Sequence, residues 1–221
     1  MGNTLARLLG CGASRAPHDA VRGRTQFASA VLILALCAAG CHSVQPLDTK
    51  PLDTAGMNYD AIQQLKTLQI TVPEIAQMTT ARQSGFSDAD CVEVFKIYRG
   101  RNQVFDAGDE IAGLIRAQVS EAAILELARL NQLGLGSGEL QAMRLAGLSD
   151  AILLEVARHR SAGKPVLAGA SLANLKNAGV RELTLLELAR RGVPDSQAAA
   201  IIAYRRHGAT DAQILRHFAP L

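Results

Sequence analysis

Residues 147–160 read GLSDAILLEVARHR, and this stretch decides the fold class. Ser149 is placed to accept a hydrogen bond from the free N–H groups of a first helical turn, and Asp150 faces the positive end of the helix dipole. Ile152, Leu153, Val156 and Ala157 then recur at steps of three and four, the period of a helix with one buried face. Arg158, His159 and Arg160 close the stretch, where cations complement the negative end of the dipole. Ahead of it, Leu148 suits a staple and Gly147 a turn with positive φ.

The same pattern extends outward through most of the chain. FSDADCVEVFKIYRGRNQVF (86–105) overlays LSDAILLEVARHRSAGKPVL (148–167) without a gap. IAGLIRAQVSEAAILELAR (111–129) overlays LANLKNAGVRELTLLELAR (172–190), and TVPEIAQM (71–78) resembles GSGELQAM (136–143). GVPDSQAAAIIAYRRHGATDAQIL (192–215) matches the first half of a further copy. No segment after Tyr59 alternates like a strand. The expectation is an all-α domain over 59–221, built from about two and a half copies of a unit of about 60 residues, each made of short helices.

Ahead of this domain the composition changes twice. FASAVLILALCAAG (27–40) is 14 residues without a charge, behind a segment bearing Arg7, Arg15, Arg22 and Arg24 against Asp19. A membrane-crossing helix needs about 20 apolar residues, so the run has the dimensions of a secretory h-region. Val21 is an alternative start, which would shorten the segment before it. Residues 42–57, HSVQPLDTKPLDTAGM, repeat Pro-Leu-Asp-Thr and show almost no helical period, the composition of an extended spacer. The division expected is a signal peptide at 1–40, a flexible tether at 41–58 and the helical domain beyond.

Ala38-Ala39-Gly40-Cys41 resembles a bacterial lipobox, with Ala38 where Leu is commonest. The resemblance implies that the leader is removed and that Cys41 carries acyl chains, so the membrane is the first partner expected. His42, in place of an Asp after the lipidated cysteine, points by the same analogy to the outer membrane, facing the periplasm. Cys11 and Cys37 leave with the leader. Cys91 is then the one free thiol, at a position equivalent to Leu153, which suits a small core residue.

Removing the leader also changes the charge. The whole chain is +3, but residues 41–221 hold 19 basic and 19 acidic residues. A neutral body has no general attraction for nucleic acid or anionic lipid, and nucleic acid is not expected as a partner. Aromatic residues are 4% with no Trp, which removes the stacking platforms that sugars or single strands need. Local patches remain. Arg158, Arg160, Arg190, Arg191, Arg205 and Arg206 all fall near helix ends. They serve the helix dipoles and pair with Glu126, Glu155 and Glu187, or they line up along one edge as a basic stripe for an anionic partner.

The chemistry of an active site is not found. The histidines lack HExxH spacing, no Cys-x-x-Cys occurs, and Asp106, Asp109 and Glu110 lack the ligand series of a calcium loop. No nucleophile elbow or phosphate-cradling loop appears. The expectation is no cofactor, no metal and no catalytic residue.

Two further resemblances complete the reading. GLSDAILLEVARHR followed by LKNAGVRELTLLELA is similar to a short helical repeat of exported bacterial proteins and lipoproteins of unassigned function. It spans about residues 68–215 and implies an all-α domain. GVPDSQAAAIIAYRRHG (192–208) is similar to the helix-hairpin-helix of competence-type DNA-binding proteins, at Gly192, Val193, Ala198, Ile201, Ile202, Tyr204 and Arg205. Pro194 stands where that motif needs a second Gly near phosphate, and Asp195 adds repulsion. The functions expected are a lipid-anchored binding or scaffolding module for an unknown envelope protein or anionic partner, or alternatively a nucleic-acid-binding lipoprotein.

Overall fold

The computed structural model describes residues 47–134 and 137–218. Among them are twelve α-helices, a 3-10 turn at Asp195–Gln197, and no strand. The helices are α1 Lys50–Thr54, α2 Tyr59–Thr67, α3 Val72–Gln83, α4 Asp88–Gly100, α5 Gly108–Arg116 and α6 Glu121–Arg129. There follow α7 Ser137–Leu145, α8 Asp150–Ser161, α9 Gly169–Asn177, α10 Glu182–Arg190, α11 Ala198–Arg206 and α12 Asp211–His217.

Each odd helix pairs with the even helix after it, making six hairpins. Each helix also packs on the helix two places along, so odd helices stack on odd and even on even. The result is two layers of helices with one continuous core between them, running from Leu52 to Phe218. Within this core Phe105 meets Phe95 and Tyr98 edge-on at 6.2 and 5.3 Å.

The local cause is a four-residue turn that appears six times: Gly-Met-Asn-Tyr at 56, Gly-Phe-Ser-Asp at 85, Gln-Val-Ser-Glu at 118, Gly-Leu-Ser-Asp at 147, Gly-Val-Arg-Glu at 179 and Gly-Ala-Thr-Asp at 208. Its first residue takes the left-handed conformation that ends the odd helix, as Gly85 does at φ +103° and Gly147 at +78°. Gln118 takes the same conformation at φ +63°, despite its side chain. The second residue sends its N–H back to close the helix end, as from Leu148 to the Met143 carbonyl, and buries its side chain. The third residue is the N-cap of the even helix. Asn58, Ser87, Ser120 and Thr210 each accept a first-turn N–H through the side chain.

The spacing of these turns explains the period in the sequence. Their first residues are 29, 33, 29, 32 and 29 apart, so no single step carries every hairpin onto the next, whereas steps of 62 and 61 carry each onto the one after the next. The unit of about 60 residues is therefore a pair of hairpins. The boundary with the tether also moves. Residues 47–58 are not a spacer but the first hairpin's opening: α1 stacks on α3, with Leu52 and Met57 buried. Leu52 has the helix period only within one short turn, too little to register as a pattern. Residues 1–46, with the leader and Cys41, lie outside the described residues. At the other end Pro194 is the N-cap of the 3-10 turn, and α11 begins at Ala198.

Candidate functional site

The fourth residue of each turn, an acid in five of the six, works between hairpins rather than at its own helix alone. Asp88 Oδ2 accepts the Asn58 N–H at 3.0 Å, Asp150 Oδ2 accepts the Ser120 N–H at 3.0 Å, and Glu182 Oε1 accepts the Ser149 N–H at 2.9 Å. Three N-caps thus receive a carboxylate from the following hairpin. At α10 the N-cap Arg181 instead pairs through its side chain with Asp211 at 3.5 Å, and at α12 the Thr210 N–H is taken by its own Gln213. At the start, Tyr59 holds the acid's position and is 73% exposed.

Arginines at the ends of odd helices tie the same turns together. Arg82 donates to the carbonyls of Gly56 and Phe86 and pairs with Asp88. Arg144 repeats this with Gln118, Leu148 and Asp150, and Arg205 with Gly179, Ala209 and Asp211. Lys176 bridges Gly147 and Glu182. Planar five-donor guanidinium suits a site with two carbonyls and a carboxylate. The sequence contained this signal in the steps of 62 and 61 between the three arginines. It is visible only once helix ends are aligned.

The joint between the second and third hairpins departs from this scheme. Glu121 lies against Asp90, and their shared hydrogen bond is the main cause that raises its carboxyl above the ordinary 4.5, with burial adding. Ser87 Oγ donates to Asp90 Oδ2 at 2.7 Å, and the nearby Ser87 N–H and hydroxyl pull the Glu121 carboxyl down against the larger raising effects. A carboxyl raised in the folded state contributes stability below its ordinary value, and that contribution is lost as pH rises through the raised value. Glu121→Gln keeps the acceptor for Ser87 while removing the repulsion. It is expected to stabilise the domain by roughly 0.5 kcal/mol at neutral pH and to bring no gain at about pH 3, measured by urea unfolding at both.

The six arginines of the anticipated basic edge do not share one edge. Arg158 and Arg190 join a ladder of alternating charge over four even helices: Glu93–Arg129 at 3.3 Å, Arg129–Glu126 at 3.6 Å, Arg158–Glu126 at 3.8 Å, Arg158–Glu155 at 2.9 Å and Arg190–Glu155 at 3.8 Å. Arg160 pairs with Glu139 at 2.6 Å, and Arg191 pairs with Glu187 at 2.8 Å while donating to the Leu215 carbonyl. Arg205 and Arg206 sit at the end of an odd helix, on the opposite edge of the layers. Five of the six are thus engaged with carboxylates, and the edge at α8 and α10 alternates in sign. Exposed pairs of this kind contribute little each.

Sequence reasoning missed two acids of the odd layer. Glu74 is fully buried in the first turn of α3. Burial pushes its carboxyl up, but donors from Phe105 N–H, Arg99 and Thr71 outweigh that and hold it below the ordinary 4.5. Glu139 does the equivalent task on α7, lowered by Arg160 and the Gly169 N–H against the effect of burial. Neither is distinguishable in sequence from a solvated first-turn acid.

Chemically reactive groups are shielded. Cys91 is buried, and burial pushes its thiol up to about 12, Asp88 adding to the effect. A groove of about 510 Å³ opens beside the ends of α4 and α6, lined by Tyr98, Gln103, Val104, Asp106, Asn131 and Leu133. Burial, with Asp106 and Glu110 nearby, pushes the Tyr98 hydroxyl up to about 12, so it stays a hydrogen-bond donor at neutral pH. Asp109 and Glu110 occupy the first turn of α5. Among the described residues no cluster of His, Cys, Asp and Glu is arranged to hold a metal ion, and no helix is long and apolar enough to cross a membrane. No protein-family model, curated protein or solved structure matches the chain.

Proposed function

We propose that the chain is a lipid-anchored bacterial envelope protein whose stacked hairpins act as a binding or scaffolding module. The observation that carries this reading is the stacking itself. Helix-on-helix layers of the same parity turn about 170 residues into a long lateral surface. The polar side chains with the best geometry, Glu74, Asp150, Arg82 and Arg144, are engaged in joining hairpins. In the sequence, the lipobox-like Ala38–Cys41 supports the anchor, and His42 supports the outer membrane facing the periplasm. The partners proposed are the membrane, through acyl chains on Cys41, and an envelope protein or anionic ligand on the array.

A nucleic-acid role through the C-terminal hairpin gains no support from the geometry. Asp195 Oδ1 accepts the Ala168 N–H at 2.8 Å, and Arg205 is held by two carbonyls and Asp211. Of the residues that resemble the DNA-binding motif, Arg205 is thus engaged between hairpins.

Metabolic labelling with palmitate tests the anchor. The intact chain is expected to incorporate label and Cys41→Ser to lose it; equal labelling of the two would refute the reading. Crosslinking in intact cells, followed by purification from membranes, identifies what occupies the array.

A further inference from the structure

The first described hairpin reaches closer to Cys41 than the sequence pattern implies, and that has a geometric consequence. Leu47 packs against the core, Leu52 is fully buried and Met57 nearly so. Between a lipidated Cys41 and the packed Leu47 there remain only residues 42–46. Six residue steps span at most about 20 Å when fully extended.

Resting on the reading of Cys41 as the anchor, we infer that the array meets the bilayer with its first hairpin, α1 and α2. Contour length carries the inference. A leash of about 20 Å brings hairpin 1, and no later hairpin, into steady contact with lipid headgroups. Helices stack about 8–10 Å apart, so the sixth hairpin, five steps on, lies roughly 40–50 Å further along the array. The surface of this hairpin offers charged and polar groups of both signs to headgroups: Lys50 and Lys66 are exposed beside Asp48, Asp53 and Asp60, and Tyr59 is 73% exposed at the start of α2. An aromatic ring with a polar tip is at home at a membrane interface.

The absence of Trp from the chain gives a clean test. Single-Trp forms of the full chain, Tyr59→Trp and Ala203→Trp, both at exposed positions, are purified from bacterial membranes. They are reconstituted into phosphatidylethanolamine–phosphatidylglycerol vesicles carrying a headgroup-attached quencher. Flotation is measured on the same samples, with Cys41→Ser as control. The expected result is flotation that depends on Cys41, with quenching at position 59 severalfold stronger than at 203. A Gly-Ser insert between Pro46 and Leu47 is expected to weaken the quenching at 59. Cys41-dependent flotation with equal quenching at both sites overturns this inference and leaves the anchor standing. Flotation that is unchanged in Cys41→Ser, or absent from the intact chain, overturns the anchor reading and this inference with it.

Discussion

Gly108→Ala destabilises the domain by about 3 kcal/mol, the largest loss expected from a single added carbon. Gly108 opens α5 where that helix crosses the backbone of α3. A Cβ there falls onto the Gln77 carbonyl oxygen and lies 2.6 and 2.8 Å from Gln77 C and Cα. The obstacle is main chain, so no rotamer change relieves it, and α3 and α5 must separate. Separation also breaks the bond from Gly108 N–H to Gln77 Oε1, 2.8 Å long. For a domain of this size the loss corresponds to roughly 6–12 °C in melting temperature. Gly100→Ala is the control. It ends α4 with nothing within 4 Å of the added carbon, and the expected change is neutral to a gain of about 0.5 kcal/mol. Equal melting temperatures for the two variants would show that the α3–α5 contact is looser than described.

Glu74→Ala is the second large effect, about 3 kcal/mol at neutral pH. The carboxylate collects four donors: Phe105 N–H at 2.9 Å, Thr71 N–H and hydroxyl at 2.8 Å each, and Arg99 at 2.6 Å. Removing it leaves the Phe105 N–H buried without an acceptor. Arg99 keeps partners in the Leu68, Gln69 and Gln103 carbonyls and stays over the Phe95 ring at 4.5 Å. This keeps the cost at the lower end for a broken buried pair. The pH dependence identifies the cause. A carboxyl lowered in the folded state contributes stability above its ordinary value of 4.5, lost as pH falls through the lowered one. The difference between wild type and Glu74→Ala in urea unfolding is therefore expected to shrink on acidification. A difference constant with pH would mean that packing, not charge, holds α3 to the following hairpin.

The two effects mark what sequence could and could not show. Helices, N-caps and turns were legible because each is a local contract: Ser120 caps the helix that it precedes and Gly147 ends the helix before it, although Ser149 stands at its N-cap position without the side-chain bond expected of it. The 60-residue overlay was legible too, since hairpins alternate in spacing. What sequence did not disclose is which side chains act across hairpins. Asp150 reads as a helix-dipole acid and is one, yet its Oδ2 is directed to Ser120, 30 residues back. Arg158 and Arg190 read as one stripe because the acids that interleave with them belong to neighbouring helices. The start of the domain at Leu47 was hidden because a five-residue helix holds a single buried side chain, Leu52, and one residue has no period. Cys41, the one position assigned a chemical role, was legible only by resemblance.

The carboxylates supplied from one hairpin to the last impose a direction on the molecule's own making. A newly made chain emerges from its N-terminus, so the N–H of Asn58 waits for Asp88, that of Ser120 for Asp150, and that of Ser149 for Glu182. Each of these three hairpins is completed by its successor, and its edge is unfinished until that successor emerges. Thr210 is closed by its own Gln213. The three bonds all run one way, each carboxylate reaching back toward the N-terminus to a turn made before it.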